Sequence, residues 1–212
     1  MKDSAIGNAI YESVTSQIMN KQIFPGNRIV EDDLSKEFGV SRSLVRSVMV
    51  RLQNEGFVRI VPNIGSCVIK PTAEEMQRAY HTRLCLELGA ASLAVHRIKD
   101  DALERMEENY QAQVNLKSNF TSMEYARLNR AFHWEMVLAC ENEYYIKFLN
   151  EMFNIVHIYM VFFDTALDNT VSLRTHRMML DALKSHDGVK LAEAIRLDQT
   201  NGMDNLDSNL SF

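Results

Sequence analysis

The side chains with the plainest chemistry lie in Ser41–Glu55, which reads SRSLVRSVMVRLQNE. Arg42, Ser43, Arg46 and Ser47 crowd its first half. Arginine offers a fork of donors that suits phosphate or a guanine edge, and serine donates to phosphate or base. To act together, such groups need one rigid face. Val45, Val48, Met49 and Leu52 supply its opposite, because they fall at i, i+3, i+4 and i+7 of a helix. Ser41 suits the N-cap, where its hydroxyl accepts from a free N–H of the first turn. Arg51 follows one turn farther along and is the weakest member of the set. Taken alone, the stretch could equally be an amphipathic helix with a solvated charged face. Its neighbours decide.

Upstream, Ile6, Ile10, Val14 and Ile18 repeat every four residues and predict a helix over 4–21, ended by Phe24-Pro25-Gly26. Glu31–Phe38 predicts a short second helix with Leu34 and Phe38 four apart, and Gly39 provides the tight turn into Ser41–Glu55. Two helices across a short Gly-containing turn are the helix-turn-helix pattern. Gly56 closes the third helix as a C′ residue. Phe57–Val61 and Ser66–Ile69 then predict two strands around the turn Pro62–Gly65. A hairpin directly after a helix-turn-helix is a wing. Residues 1–70 are therefore expected to form a winged helix-turn-helix of three helices and a β-hairpin, with Ser41–Glu55 entering a DNA groove.

The charge distribution agrees. The 212 residues carry a formal net charge of -5, but residues 1–70 hold nine Lys/Arg against seven Asp/Glu, so the excess of acid lies entirely beyond them. Phosphate attraction depends on local charge, because screening removes distant charge within about 8 Å at physiological salt. No apolar run reaches the roughly 20 residues of a membrane span. The N-terminus lacks a signal-peptide core, and Cys67, Cys85 and Cys140 form neither a CxxC pair nor a disulfide framework. A cytoplasmic protein without membrane association is expected.

Beyond Pro71 everything reads as helix. Thr72 and Glu75 have capping-box spacing, and helices are predicted near 73–98, 101–118, 122–140, 143–167, 171–185 and 188–205. Asp101/Glu104 and Thr121/Glu124 have cap-like spacing at two of the starts. Proline is absent after Pro71 and only Gly89, Gly188 and Gly202 follow. Residues 71–212 thus predict an antiparallel all-α bundle of about six helices, and the chain as a whole is mainly α.

Specific words carry a resemblance to a known family. Residues 9–70 resemble the winged-helix domain of the GntR family of bacterial transcription regulators. The matching words are Phe24-Pro25-Gly26-Asn27-Arg28-Ile29, Asp33 through Arg42, Val45-Arg46, Leu52, Glu55-Gly56 and Gly65. The second half resembles the FCD ligand-binding domain of the FadR-type branch through Arg83–Glu87, Asn129–His133, Glu141-Asn142, His176–Leu183 and Asp187–Asp198. Six helices rather than seven point to its smaller, VanR-like group. The resemblance implies that Arg42, Ser43 and Arg46 contact operator DNA and that Gly65 lets the wing tip approach the minor groove. Two positions depart from the pattern: Asp32 stands where some members carry Arg, and Val50 where many carry a basic residue.

The same resemblance implies a divalent metal (zinc, nickel or manganese) held at the positions of Asn129, His133, His176 and Asp198. Relatives carry Asp, His, His, His there. Asn129 replaces the Asp with a weaker neutral donor, and Asp198 replaces the last His, so one carboxylate is kept but moved. Asn129 and His133 are four apart and share a helix face. Polar groups from facing helices of a bundle can converge on a metal or a small anion. A pocket without metal, in which an effector bonds directly to His and Asn, is the nearby alternative. In relatives the metal anchors the carboxylate of a small organic acid, with Arg residues assisting. Arg83 is the candidate here, or else it forms a salt bridge with Glu87. Asn142 is either a pocket group or a helix N-cap. His81, His96, His157 and His186 match no ligand position, and Met152–Phe163 reads as core and part of a dimer interface. The overall expectation is a homodimeric, effector-responsive regulator on a near-palindromic operator. A metal-dependent hydrolase built on the His/Asp group, and an architectural DNA-binding protein with an inert bundle, are the competing classes.

Overall fold

Two units divide the chain, Met1–Pro71 and Thr72–Phe212, and each builds its own core. The computed structural model describes residues 2–116, 121–163 and 170–209. In the first unit α1 (Lys2–Met19) buries Ile10, Val14 and Ile18 completely, the stripe set by their four-residue spacing, while Ile6 is only half-buried. Then follow β1 (Arg28–Ile29), α2 (Glu31–Glu37) and α3 (Arg42–Asn54). Ser41 caps α3 by accepting from the Leu44 N–H at 3.3 Å, which satisfies one of the free donors of the first turn. Gly39 turns between α2 and α3 at φ 62°, in the left-handed region that glycine enters at little cost. Val45, Val48, Met49 and Leu52 form the buried face of α3.

The wing consists of β2 (Val58–Val61) and β3 (Gly65–Val68). It is wider than the expected hairpin. The strand order is β1-β3-β2, with β1 antiparallel to β3 through Arg28↔Cys67 and Ile29↔Ser66. A two-residue strand is too short to show an alternating pattern, so its pairing is not written in the local sequence. Its effect is to leave Arg28 exposed beside the wing while Ile29 is buried.

The second unit contains α4 (Ala73–Ala94), α5 (Asp100–Asn115), α6 (Ser122–Ala139), α7 (Glu143–Phe162), α8 (Thr170–Lys184) and α9 (Gly188–Asn209). Thr72 and Glu75 form a complete reciprocal capping box at α4. Thr121 caps α6 by accepting from the Glu124 N–H. Asp101 does not cap α5. That helix begins at Asp100 after Lys99, whose side chain makes no cap bond, and Asp101 instead pairs with Arg105 at 2.8 Å. The expected ends at 118 and 167 lie outside the described residues. Phe132, Met136, Leu149, Phe153, Met179, Leu180, Leu183 and Leu191 centre the core. Gly89 lets α4 and α7 approach closely, because a side chain there would collide with the Tyr145 ring. Along α7, Phe153, Val156, Ile158, Tyr159 and Val161 are buried, whereas Tyr144 and Phe148 near its start are exposed.

Candidate functional site

In the first unit a groove of about 430 Å³ runs between the start of α3 and the wing, lined by Arg28, Arg42 and Arg46 together with Glu31, Asp32 and Gly65. Ser41, Arg42, Ser43, Arg46 and Ser47 are all exposed at the start of α3. Their starting positions differ. Arg42 is held by Asp32 at 2.8 Å, so the acid that departs from the family pattern is the partner of the first arginine. Ser41 and Ser43 share a hydroxyl contact of 2.9 Å, and Ser47 donates to the Leu44 carbonyl at 2.7 Å. Among the described residues Arg28 and Arg46 stand outside any ion pair.

Arg51 is not part of this groove. It bonds Glu55 at 2.9 Å and Asn8 at 2.9 Å, and its guanidinium lies 3.8 Å from the centre of the Tyr11 ring. This arginine joins α1 to α3. Arg28 lines the groove instead, and its Nε would lie 3.5 Å from a Cβ at Gly65, under the wing turn. The sequence signal for Arg28 was only its place in the Phe24–Ile29 word; the β1 pairing that aims it is long-range.

In the second unit His133 of α6, His176 of α8 and Asp198 of α9 converge so that one ligand atom of each lies within 4.8 Å of the others. The two Nε2 atoms face each other at 3.3 Å. Asp198 Oδ2 is 3.3 Å from His133 Nε2, and its Oδ1 is 3.7 Å from His176 Nε2. All three side chains are buried. Phe132 stacks on the His176 ring at 4.3 Å between centroids, which fixes its plane.

The outer atoms decide what the inner atoms are. His176 Nδ1 lies 2.8 Å from Gln113 Oε1, and the Gln113 amide nitrogen is committed to Asn109 Oδ1 at 2.7 Å. His133 Nδ1 lies 2.8 Å from Glu87 Oε1. Both Nδ1 positions face acceptors, so each Nε2 is the inward atom and is turned toward Asp198. A carboxylate or carbonyl behind each ligating imidazole is the usual outer arrangement of a metal site. Two imidazoles and a carboxylate suit zinc, manganese or iron(II). The donors present fit a divalent cation.

Ionisation follows the same layout. Burial would raise Glu87, but Arg83 and His133 outweigh it and hold the carboxyl below its ordinary range. Burial alone would lower His133, yet the Glu87 charge raises it on balance. His176 is pushed down to about 3, chiefly by burial. Burial also works against the Asp198 carboxylate; contacts with His133, His176 and Thr175 prevail and hold it low. Thr175 donates to Asp198 Oδ1 at 2.7 Å, orienting it.

Asn129, one turn before His133, is buried, and its amide nitrogen approaches Met160 Sδ at 3.9 Å. The amide nitrogen thus rests on the thioether of α7, on the same helix as His133. Arg83 satisfies its salt-bridge reading, with Nε 3.0 Å from Glu87 Oε2 and its guanidinium 4.5 Å from the centre of the Phe153 ring. Yet Arg83 Nη2 is buried without a hydrogen-bond partner, as is Gln199 Oε1. Gln199 donates its amide to the same Glu87 Oε2. Asn142 is the N-cap of α7, accepting from Tyr144 N at 3.0 Å and Tyr145 N at 3.4 Å. Its carbonyl is spent on the helix end and does not join the histidine group. Sequence reading missed Gln113, Thr175 and Gln199, whose partners are 63, 23 and 112 residues away.

The other histidines are apart from this centre: His81 and His96 are exposed, and His186 Nδ1 contacts the Val95 carbonyl at 2.7 Å. Burial and then the Arg130 charge push His157 down to about 4.

Comparison with known proteins follows this division. The FCD domain family model matches residues 78–198, and that of bacterial regulatory proteins of the gntR family matches residues 6–68. The chain is 28% identical over 176 residues to the uncharacterized HTH-type transcriptional regulator YdhC of Bacillus subtilis, covering 82% of this chain and 79% of that protein. It is 23% identical over 191 residues to the HTH-type transcriptional repressor RspR of Escherichia coli, covering 90% and 84% respectively. Among solved structures, E. coli McbR/YncC superposes with a TM-score of 0.80 at 17% identity, covering 96% of this chain and 97% of that one.

Proposed function

We propose, from the premise that the chain belongs to the FCD-domain regulators of the gntR family, that its bundle senses a small carboxylate through a divalent cation. The family is one of transcription regulators with a DNA-binding helix-turn-helix and a ligand-sensing C-terminal domain, not of enzymes. What supports the metal reading is the convergence of two Nε2 atoms and one carboxylate, with the Nδ1 atoms behind them facing Gln113 and Glu87. The cation would displace the proton that His133 shares with Asp198 and present a Lewis-acidic position to a carboxylate. His133, His176 and Asp198 would hold it, with Asn129 one turn before His133 on the same helix. Arg83, through its free Nη2, would bind the anion.

On the DNA side, Arg28, Arg42 and Arg46 with Ser43 would meet the operator, with Gly65 admitting the wing. Recognition of a near-palindromic operator requires two copies, so the working species is a homodimer. Among the described residues no helix is long and apolar enough to cross a membrane, and the protein would work in the cytoplasm where its operator is. The effector can change operator binding only by favouring one arrangement of the dimer over another.

The test is metal content and operator affinity of the purified full chain. Wild-type protein is expected to retain zinc or manganese stoichiometrically. His133→Ala should lose it and lose the effector response while still binding operator. Unchanged metal content in that variant would remove His133 from the ligand set.

A further inference from the structure

The groove between α3 and the wing is the face that would meet the operator, yet two of its lining residues, Glu31 and Asp32, are acids in the first turn of α2. Their partners differ. Glu31 accepts from the buried Ser66 hydroxyl of β3 at 2.9 Å, so its charge is tied to the wing. Asp32 Oδ1 stands 2.8 Å from Arg42 Nε, in a pair whose side chains are 45% and 75% exposed. An ion pair so open to water contributes little to folding, and a carboxylate in this place repels phosphate. Neither stability nor general DNA affinity accounts for Asp32. What remains is its effect on Arg42. A carboxylate at Nε blocks the side of the guanidinium that combines Nε with one Nη. It leaves the opposite edge, Nη1 with Nη2, for another pair of acceptors. Two such acceptors, O6 and N7, lie side by side on a guanine in the major groove.

From this pair we infer that Asp32 is a positioning residue for sequence reading: it holds Arg42 with its Nη edge toward a guanine of the operator and keeps it off the phosphates. The inference rests on the placing of α3 against operator DNA proposed above and goes beyond it, because it makes an acid part of the reading surface. Arg42, neutralised by its partner, contributes direction rather than net charge. Phosphate contacts fix register without carrying sequence, so withholding an arginine from them favours discrimination over affinity.

The test uses duplexes that the full wild-type chain enriches from a random-sequence pool, with a scrambled duplex as reference and anisotropy titrations across salt as the readout. Asp32→Asn keeps the side-chain shape and removes the charge at an exposed position. Its preference for the enriched duplex over the scrambled one should fall about tenfold or more, the scale of one lost bidentate base contact. Its binding to the scrambled duplex should strengthen and gain about one unit of salt slope, because Arg42 then reaches phosphate. Replacing each guanine in turn by 7-deazaguanine, which lacks the N7 acceptor, locates the contact. At one guanine the wild-type chain should lose affinity while Asp32→Asn and Arg42→Ala are indifferent. A preference unchanged in Asp32→Asn, even with both duplexes bound more tightly, would mean that the acid only weakens the local field, and overturns the inference. So does a 7-deazaguanine loss that is equal in wild type and Asp32→Asn, or the absence of any guanine at which Arg42→Ala differs from wild type. If the wild-type chain enriches no sequence, the placing of α3 on DNA falls and the inference with it.

Discussion

Arg46 and Arg28 are the two exposed arginines of the groove between α3 and the wing that stand outside any ion pair among the described residues, and they should behave differently on mutation. Arg46 lies in the second turn of a capped helix, where side chains reach base edges. Arg46→Ala should cost roughly 1–3 kcal/mol of operator binding and relax specificity at one base position. Arg28 lies on a two-residue strand beside the wing turn, and its neighbour on DNA would be phosphate. Arg28→Ala should weaken operator and random DNA alike and shallow the salt dependence by about one unit of slope. Both effects are read from anisotropy titrations across salt. An Arg28 variant with an unchanged slope would remove it from the interface. Arg51→Ala, by contrast, should lose stability, because that guanidinium packs on Tyr11 and joins α1 to α3. Sequence spacing placed Arg42, Ser43 and Arg46 correctly on the exposed side of α3, because helical periodicity is local. It could not separate Arg51 from them, since Asn8 and Tyr11 are brought to it only by folding.

At the level of elements, the helices and their caps were largely legible. Thr72 with Glu75, Thr121 and Ser41 act at the ends their spacing marked. Where a side chain had a better partner the cap reading failed, as for Asp101 with Arg105. What joins helices was not legible. Glu107 on α5 bonds Arg177 at 3.0 Å and Lys184 at 2.6 Å, both on α8. Lys184, Arg177 and Gln111 together hold its carboxyl down to about 2. A carboxyl lowered on folding contributes stability that is full above its unfolded pKa and is lost as pH falls through the folded one. The window therefore runs from about 4.5 down to about 2. The group is one-third exposed, so solvent screening reduces its worth to about 1 kcal/mol. Glu107→Gln should lower unfolding free energy by that amount at neutral pH, and the gap from wild type should close across this window. A gap that persists at the acid end would mean that shape, not charge, holds α5 to α8.

For the whole molecule, the charge pattern assigns the work. The first 70 residues carry a small positive excess and the rest a larger negative one, so phosphate affinity must come from the winged helix alone. The centre of the bundle places two imidazole nitrogens and a carboxylate against one another in a buried site, and a cation bound there would cross-link α6, α8 and α9. A ligand that binds only the folded form stabilises it by about 2.7 kcal/mol at a hundredfold excess over Kd. In a chain of this size that corresponds to a rise in Tm of roughly 5–10 °C. Stripping the protein with a chelator and returning zinc or manganese should reverse that shift in differential scanning calorimetry. His176→Ala should show a Tm that no longer responds to either treatment. An equal response in wild type and variant would mean that the cation binds elsewhere, and an absent response in both would return His133, His176 and Asp198 to the status of a buried polar network completed by a proton.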